Sequence, residues 1–397
     1  MVAKIIIHNA SVQDNGKKIT NLIEPSPNIQ SFFKNNLFWV EYDKSVADVP
    51  MSILNIPALS TVIHFAIACG VDVVMDEVDS KYLEGIEQTK KLLKYHPGFK
   101  ELKLKSTVKA TSVENNFDDM NKKGLLFSGG VDSTASYIAH RNEDPTLIFI
   151  HGIDMPLSWK EYYDRVVDHY SYLNLRTMAS NTEEIYSTQH LFYGRMIMEG
   201  YMPGYSFSMN RLGICAPFTV AEGIGELMLS STYPSREYGD PNFPWSKNRV
   251  NRFIDEYLSW ANVNVHDVEV DYSCTEKVVK LIKPYFDEHG PTTIRSCGHV
   301  RYLGDVNKTQ FNCCVCDKCQ RVIGSLAVSG IDPRTCGFPT TPKTYKQMHF
   351  DTSKMVWNPI YLKYHWSEVQ QYIPDEIEED YGGSRAFLEW LRGHEFD

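Results

Sequence analysis

The sequence predicts an α/β protein: a parallel sheet covered by helices, carrying a cysteine knuckle and preceded by an N-terminal α+β domain. Three observations lead there. Short apolar runs alternate with helical spacing from Leu125 onward, as in strand–helix–strand units. The segment Ser128-Gly129-Gly130 stands between the first of these runs and the first helix. Late in the chain Cys297, Cys313, Cys314, Cys316 and Cys319 crowd together.

Taken in order, Lys4–His8 and Leu37–Tyr42 read as strands, Ala58–Cys69 as an apolar helix and Val71–Met75 as a buried strand. Tyr82–Tyr95 has helical spacing, and Leu102 and Leu104 alternate with lysines as on a half-buried strand. These elements form the expected N-terminal domain, residues 1–115, which bears no chemical motif. The polar stretch Ser112–Lys123 reads as a linker. Beyond it Leu125–Phe127, Thr146–Ile150, Leu175–Met178 and Glu226–Leu229 are expected strands. Helices are expected over Thr134–His140, Tyr162–Tyr172 and Pro217–Gly223, with helical spacing again at Phe253–Leu258 and Val278–Ile282. The expected α/β domain spans 120–340, its knuckle 297–319, and the tail 341–397, with Trp357, Trp366 and Trp390, forms short helices.

The bulk numbers narrow the class. A chain of 397 residues with 43% hydrophobic and 23% charged side chains has enough material for two or three packed domains. The longest apolar stretch, Ser60–Met75, is broken by His64 and Asp72 and is too short to span a bilayer. The N-terminal isoleucine run is too short for a signal peptide, so a cytoplasmic protein is expected. A net charge of −10 argues against nucleic acid as a partner. Without a secretory signal, crowded cysteines point to metal ligation rather than disulfides.

The loop carries the chemistry. Glycines let the backbone turn sharply and bring N–H groups close to an anion, and the following helix adds the positive end of its dipole. The backbone of Leu126, Phe127, Ser128, Gly129, Gly130, Val131, Asp132, Ser133 and Thr134 would cradle phosphates, with hydroxyls from Ser128 and Ser133. A carboxylate beside phosphate is repulsive unless a cation lies between, so Asp132 suggests Mg2+. The Gly-Lys-Ser/Thr ending of a Walker loop is absent. Four thiolates from Cys297, Cys313, Cys316 and Cys319 suit tetrahedral zinc, with an iron–sulfur cluster as the competitor. The choice between Cys313 and Cys314 stays open.

Ser-Gly-Gly-Val-Asp-Ser resembles the signature of the PP-loop ATP pyrophosphatases. With the late cysteines, the chain is most similar to the 7-cyano-7-deazaguanine synthase family, whose pattern is a cysteine, then Cys-Gly-x-Cys-x-x-Cys and a nearby arginine. Here Cys313-Cys314-Val-Cys316-Asp-Lys-Cys319-Gln-Arg321 matches, with Cys314 replacing the glycine. Tyr233-Pro234-Ser235-Arg236 is similar to a Tyr-Pro-Asp-Cys-Arg segment, and Asn210-Arg211 to a reversed Arg-Asn pair. The likeness covers about Gly124–Ile331. It implies a Rossmann-like, adenine nucleotide alpha hydrolase-like core that uses ATP, Mg2+ and Zn2+. It also implies adenylation of a small-molecule carboxylate, a deazapurine in the family, followed by attack of ammonia or an amine. Asp132, Ser133, Arg211 and Arg236 are the expected catalytic residues, ahead of Asp240, Lys277 and Arg301. His151 and Asp154 either line the nucleotide pocket or finish a turn.

Position two is valine, so an N-terminal cysteine glutaminase is not expected. Three other readings remain open: a ligase joining a carboxylate to an amine of a protein held by the N-terminal domain, as in antiviral defence; sulfur transfer to tRNA through Cys215 or Cys274; and a nucleotide sensor without catalysis. A homodimer also stays open.

Overall fold

The computed structural model describes residues 3–93, 105–153, 155–186, 203–232, 234, 256–297, 310–354, 356 and 359–396. The expectations for Leu102, Leu104, Asp154, Tyr233, Ser235, Arg236, Asp240, Phe253, Ile254, Arg301 and Trp357 fall outside these residues. The protein is α/β, with one large mixed sheet.

The strands are β1 (Lys4–Ile7), β2 (Ser11–Gln13), β3 (Lys18–Pro25), β4 (Leu37–Tyr42), β5 (Asp72–Asp79) and β6 (Val108–Val113). They continue with β7 (Lys122–Leu126), β8 (Thr146–His151), β9 (Leu175–Ser180), β10 (Ile224–Ser230) and β11 (Asn264–Val268). Their order is β11-β10-β7-β8-β9-β4-β3-β1-β5-β6, with β2 beside β3. β10, β7, β8 and β9 pair in parallel, the arrangement the strand–helix alternation predicts. β8 is buried along its whole length, as a parallel strand covered on both faces must be.

The N-terminal strands do not form a sheet of their own. β4 pairs antiparallel with β9, setting Val40 opposite Ser180 and Tyr42 opposite Met178. β3 and β1 extend the same sheet. The chain therefore does not divide near residue 115. One compact unit comprises Met1–Leu126, Asp144–Leu229 and Lys247–Asp267; the other comprises Phe127–Glu143, Ser230–Ser246 and Val268–Asp397. The expected tail, 341–397, belongs to the second unit. The boundary was illegible because it depends on which strand edges meet, a tertiary choice that local periodicity does not encode.

In the first unit the helix Ile56–Cys69 is buried on all sides and ends at left-handed Gly70. It packs on the helix Pro203–Glu222. There a Cβ on Gly213 would sit 2.2 Å from Ser60 Oγ, so glycine is what permits the approach. His64 lies in this core with its ring 5.5 Å from that of Tyr186. Burial lowers its pKa from 6.5 to about 4. The unfolded chain therefore binds a proton that the folded chain refuses. Stability from this group is complete above pH 6.5 and is lost as pH falls toward 4, a loss of about 3 kcal/mol. Urea titrations between pH 4 and 7 should show this slope, and His64→Phe should flatten it.

In the second unit the helix Asp317–Val328 packs on the tail helix Pro359–Gln371, and Ser384–Arg392 packs on both Pro359–Gln371 and Pro342–Ser353. Trp366 is buried against Gly324, where an added Cβ would meet the indole at 2.5 Å. Gly324→Ala is expected to cost about 1–3 kcal/mol by overpacking, measurable as a lowered melting temperature. Among the described residues no helix is long and apolar enough to cross a membrane.

Candidate functional site

β7 ends at Leu126, and the chain turns through Phe127–Gly130 into the helix Val131–His140. Gly129 has φ +74°, the left-handed region that glycine enters without strain. Gly130 is the N-cap, extended, and makes no side-chain cap to the helix start. A helix of this length begun without a side-chain cap directs its first-turn N–H groups and dipole at whatever anion lies ahead. Leu126, Phe127, Val131 and Thr134 are buried and hold the turn in place. The Thr134 N–H donates to the Gly130 carbonyl at 2.9 Å and closes the first helical turn.

The loop's hydroxyls face each other. Ser128 Oγ and Ser133 Oγ lie 3.4 Å apart. Ser133 Oγ donates to the Gly130 carbonyl at 3.3 Å and accepts from the Ser128 N–H at 3.3 Å. The Gly130 N–H reaches Ser128 Oγ at 3.4 Å. These bonds are all long, so little is lost if the hydroxyls and amides turn instead to a bound anion. Arg295, buried, closes the loop from the other side. Its N–H donates to the Gly129 carbonyl at 2.6 Å and its Nε to the Ser128 carbonyl at 3.0 Å.

Asp132 meets Lys277. The ammonium is fully buried, 2.8 Å from Asp132 Oδ1, and also donates to the Ser231 carbonyl. Ser273 and Glu276 form a capping box that starts a helix at Cys274, which places Lys277 in its first turn. A cation there opposes the helix dipole, so the position is costly unless a carboxylate compensates it. Asp132 does so. A π-helical turn, Val278–Ile282, follows directly, an irregularity that recurs at functional sites. Further along the loop helix Ser136 donates to Glu269, and His140 bridges Glu269 at 3.2 Å and Glu143 at 2.9 Å. Asp132, Ser136 and His140, spaced by four, thus form one polar edge.

Lys277 was one of several cations in the sequence, and the family likeness favours Arg211 and Arg236 instead. The legible signal was Ser-x-x-Glu before an apolar run with a lysine directly after it. Arg295 had no signal. Arg211 lies half-buried on the helix Pro203–Glu222 in the first unit, whereas the loop belongs to the second. His151 ends β8, donates Nε2–H to the Pro156 carbonyl at 2.9 Å and stacks on Tyr163 at 4.2 Å, so it finishes a turn.

The cysteine cluster forms as a closed group. The sulfurs of Cys297, Cys313, Cys316 and Cys319 lie within 4.8 Å of one another and could hold a metal ion. A tetrahedral zinc with bonds of about 2.3 Å requires sulfurs about 3.8 Å apart. Cys313 and Cys319 are separated by 3.8 Å. Backbone N–H groups of Cys316 and Cys319 point at the sulfurs of Cys313 and Cys316, as in a knuckle that stabilises thiolates. The thiols of Cys313, Cys316 and Cys319 hydrogen-bond to Cys297 and hold its own thiol far below the usual range. Cys314 is outside the group. It has φ +59°, the conformation a glycine would adopt, and burial pushes its thiol up to about 12. The four sulfurs that lie together thus include Cys313 and not Cys314.

Comparison with protein-family models, with curated proteins and with solved structures yields no match to this chain.

Proposed function

We propose that the chain is an ATP pyrophosphatase-type ligase that adenylates a small-molecule carboxylate and passes it to ammonia or an amine, releasing AMP and pyrophosphate. The observation that carries this reading is the Ser128–Ser133 bend: a left-handed glycine, two facing hydroxyls and an uncapped helix start, with a buried ammonium at Asp132. Such a site stabilises charge that develops on a leaving pyrophosphate. Lys277 supplies a fixed positive charge beside the loop. The helix N–H groups and both serine hydroxyls orient the phosphate oxygens.

Asp132 is the residue that would hold Mg2+. Its side chain is about a third exposed, and one carboxylate is the usual protein share of a magnesium–phosphate site. The ion would neutralise the pyrophosphate. The four cysteines would hold Zn2+ as a closed structural site, since a set of four thiolates leaves no open position for a substrate.

Sulfur transfer through Cys274 or Cys215 finds no support. It needs a thiol with lowered pKa. Burial, then Asp132, pushes Cys274 up to about 12, and burial raises Cys215 as well.

The test is product identity. Protein incubated with Mg2+–ATP, a panel of carboxylates including deazapurine carboxylates, and ammonia should release AMP and pyrophosphate only when a carboxylate is present. ADP and phosphate as the sole products would exclude the reading.

A further inference from the structure

We infer that the cysteine cluster governs the shape of the glycine loop, through Arg295 and Asn312 acting as positioning residues. The two features lie far apart in sequence but are joined by a short run of hydrogen bonds within the second unit.

Asn312 precedes Cys313 and is fully buried. Its Oδ1 accepts from the Ser296 N–H at 2.9 Å, and its Nδ2 donates to the carbonyls of Ile294 at 2.7 Å and Gly337 at 3.0 Å. One amide side chain therefore grips the backbone on both sides of Arg295. Two residues on, Cys297 joins the sulfur cluster. The segment 294–297 is pinned at one end by the cysteines and along its length by the residue next to Cys313.

Arg295 passes that fixity to the loop. It binds the carbonyls of Ser128 and Gly129, at 3.0 and 2.6 Å. Each carbonyl shares a rigid trans peptide plane with the following N–H, which points the opposite way. Holding the Ser128 and Gly129 carbonyls therefore aims the Gly129 and Gly130 N–H groups away from Arg295, toward the side where an anion would sit. Arg295 thus sets the direction of the amides that would meet the anion. Without a metal to bind them, Cys297 and Cys313 are no longer tied together, so loss of the metal would loosen Ser296, then Arg295, then the loop.

The coupling stands on this bond chain. Its consequence for phosphate binding rests on the function proposed above. Linkage makes that consequence reciprocal: if bound metal tightens phosphate binding, phosphate tightens metal binding by the same factor.

Hydrogen-exchange mass spectrometry on the full zinc-loaded chain, without nucleotide, tests the coupling. Chelation should speed exchange in peptides covering 127–134 about tenfold, the factor expected for losing one hydrogen bond of ordinary net strength, and should leave β3 and β4 unchanged. Arg295→Ala removes the Nε bond to the Ser128 carbonyl and keeps the backbone N–H bond to Gly129, so it should show a faster loop with zinc still bound and a smaller further response to chelation. Asn312→Asp, which keeps the Oδ1 acceptor and loses both donors, should fall between. If chelation unfolds the whole second unit, the zinc-loaded variants decide: a fast loop beside an unchanged 310–319 peptide supports the coupling. A loop that exchanges at the wild-type rate in zinc-loaded Arg295→Ala, or that ignores chelation while 310–319 speeds up, overturns it. In a separate arm inorganic pyrophosphate should slow zinc transfer to a competing chelator in wild type and do so less in Arg295→Ala. No slowing in wild type, with the exchange result intact, removes the phosphate reading and leaves the coupling standing.

Discussion

Replacing Lys277 by methionine is expected to lower carboxylate-dependent pyrophosphate release by about 10²–10³-fold, the usual cost of deleting one preorganised charge at a developing anion. Methionine keeps most of the length and volume, so the buried site stays filled. What goes is the ammonium that lies between Asp132 and the Ser231 carbonyl. The variant also leaves a half-buried carboxylate without its partner. Breaking a buried pair on one side costs about 3–5 kcal/mol, less here because Asp132 reaches solvent. The double variant Asp132→Asn/Lys277→Met should regain stability and stay inactive. Melting curves beside turnover separate the two effects: a fall in activity that merely tracks a fall in folded fraction would show Lys277 to be a structural ion pair only.

The second large effect concerns the cysteines. Cys297→Ser, Cys313→Ser, Cys316→Ser and Cys319→Ser are each expected to cut bound zinc from about one ion per chain to near zero, because a closed tetrahedral site needs all four ligands. Structural zinc contributes free energy of folding directly, so the same variants should melt earlier and show noncooperative unfolding of the second unit. Cys314→Ser should keep its zinc. Cys314→Gly should keep it and gain about 1 kcal/mol, since the left-handed backbone at this position strains any residue with a Cβ. Elemental analysis of purified variants checks the pattern. Zinc lost from Cys314→Ser and retained in Cys313→Ser would reverse the assignment of ligands.

These residues also show what a sequence can and cannot carry. Strands β4, β8 and β9 and the helix Ile56–Cys69 were legible because periodicity and β-branched runs are local properties. The strand–turn–helix form of the loop and the grouping of the four sulfurs were legible because glycines at a turn and cysteines at close spacing are local signals. The outline around them was not. β3, with the sequence Lys-Ile-Thr-Asn-Leu-Ile-Glu-Pro, lacks strict alternation, and its partners β1 and β4 lie on either side of it in space. Lys277 and Arg295 reach the loop from far downstream in the chain, and nothing local marks them except one capping box. The glycine position at Cys314 reads differently once its φ is known: the family-like pattern keeps the backbone shape and changes the side chain.

The most direct measurement is a structure of the protein with Mg2+ and an ATP analogue that cannot be cleaved between its α and β phosphorus atoms. The β- and γ-phosphates should lie against the N–H groups of Gly129 to Ser133, within hydrogen-bond reach of Ser128 Oγ and Ser133 Oγ, with the Lys277 ammonium at their edge. Nucleotide bound at any other place, with this bend unchanged and empty, would contradict the proposed function outright.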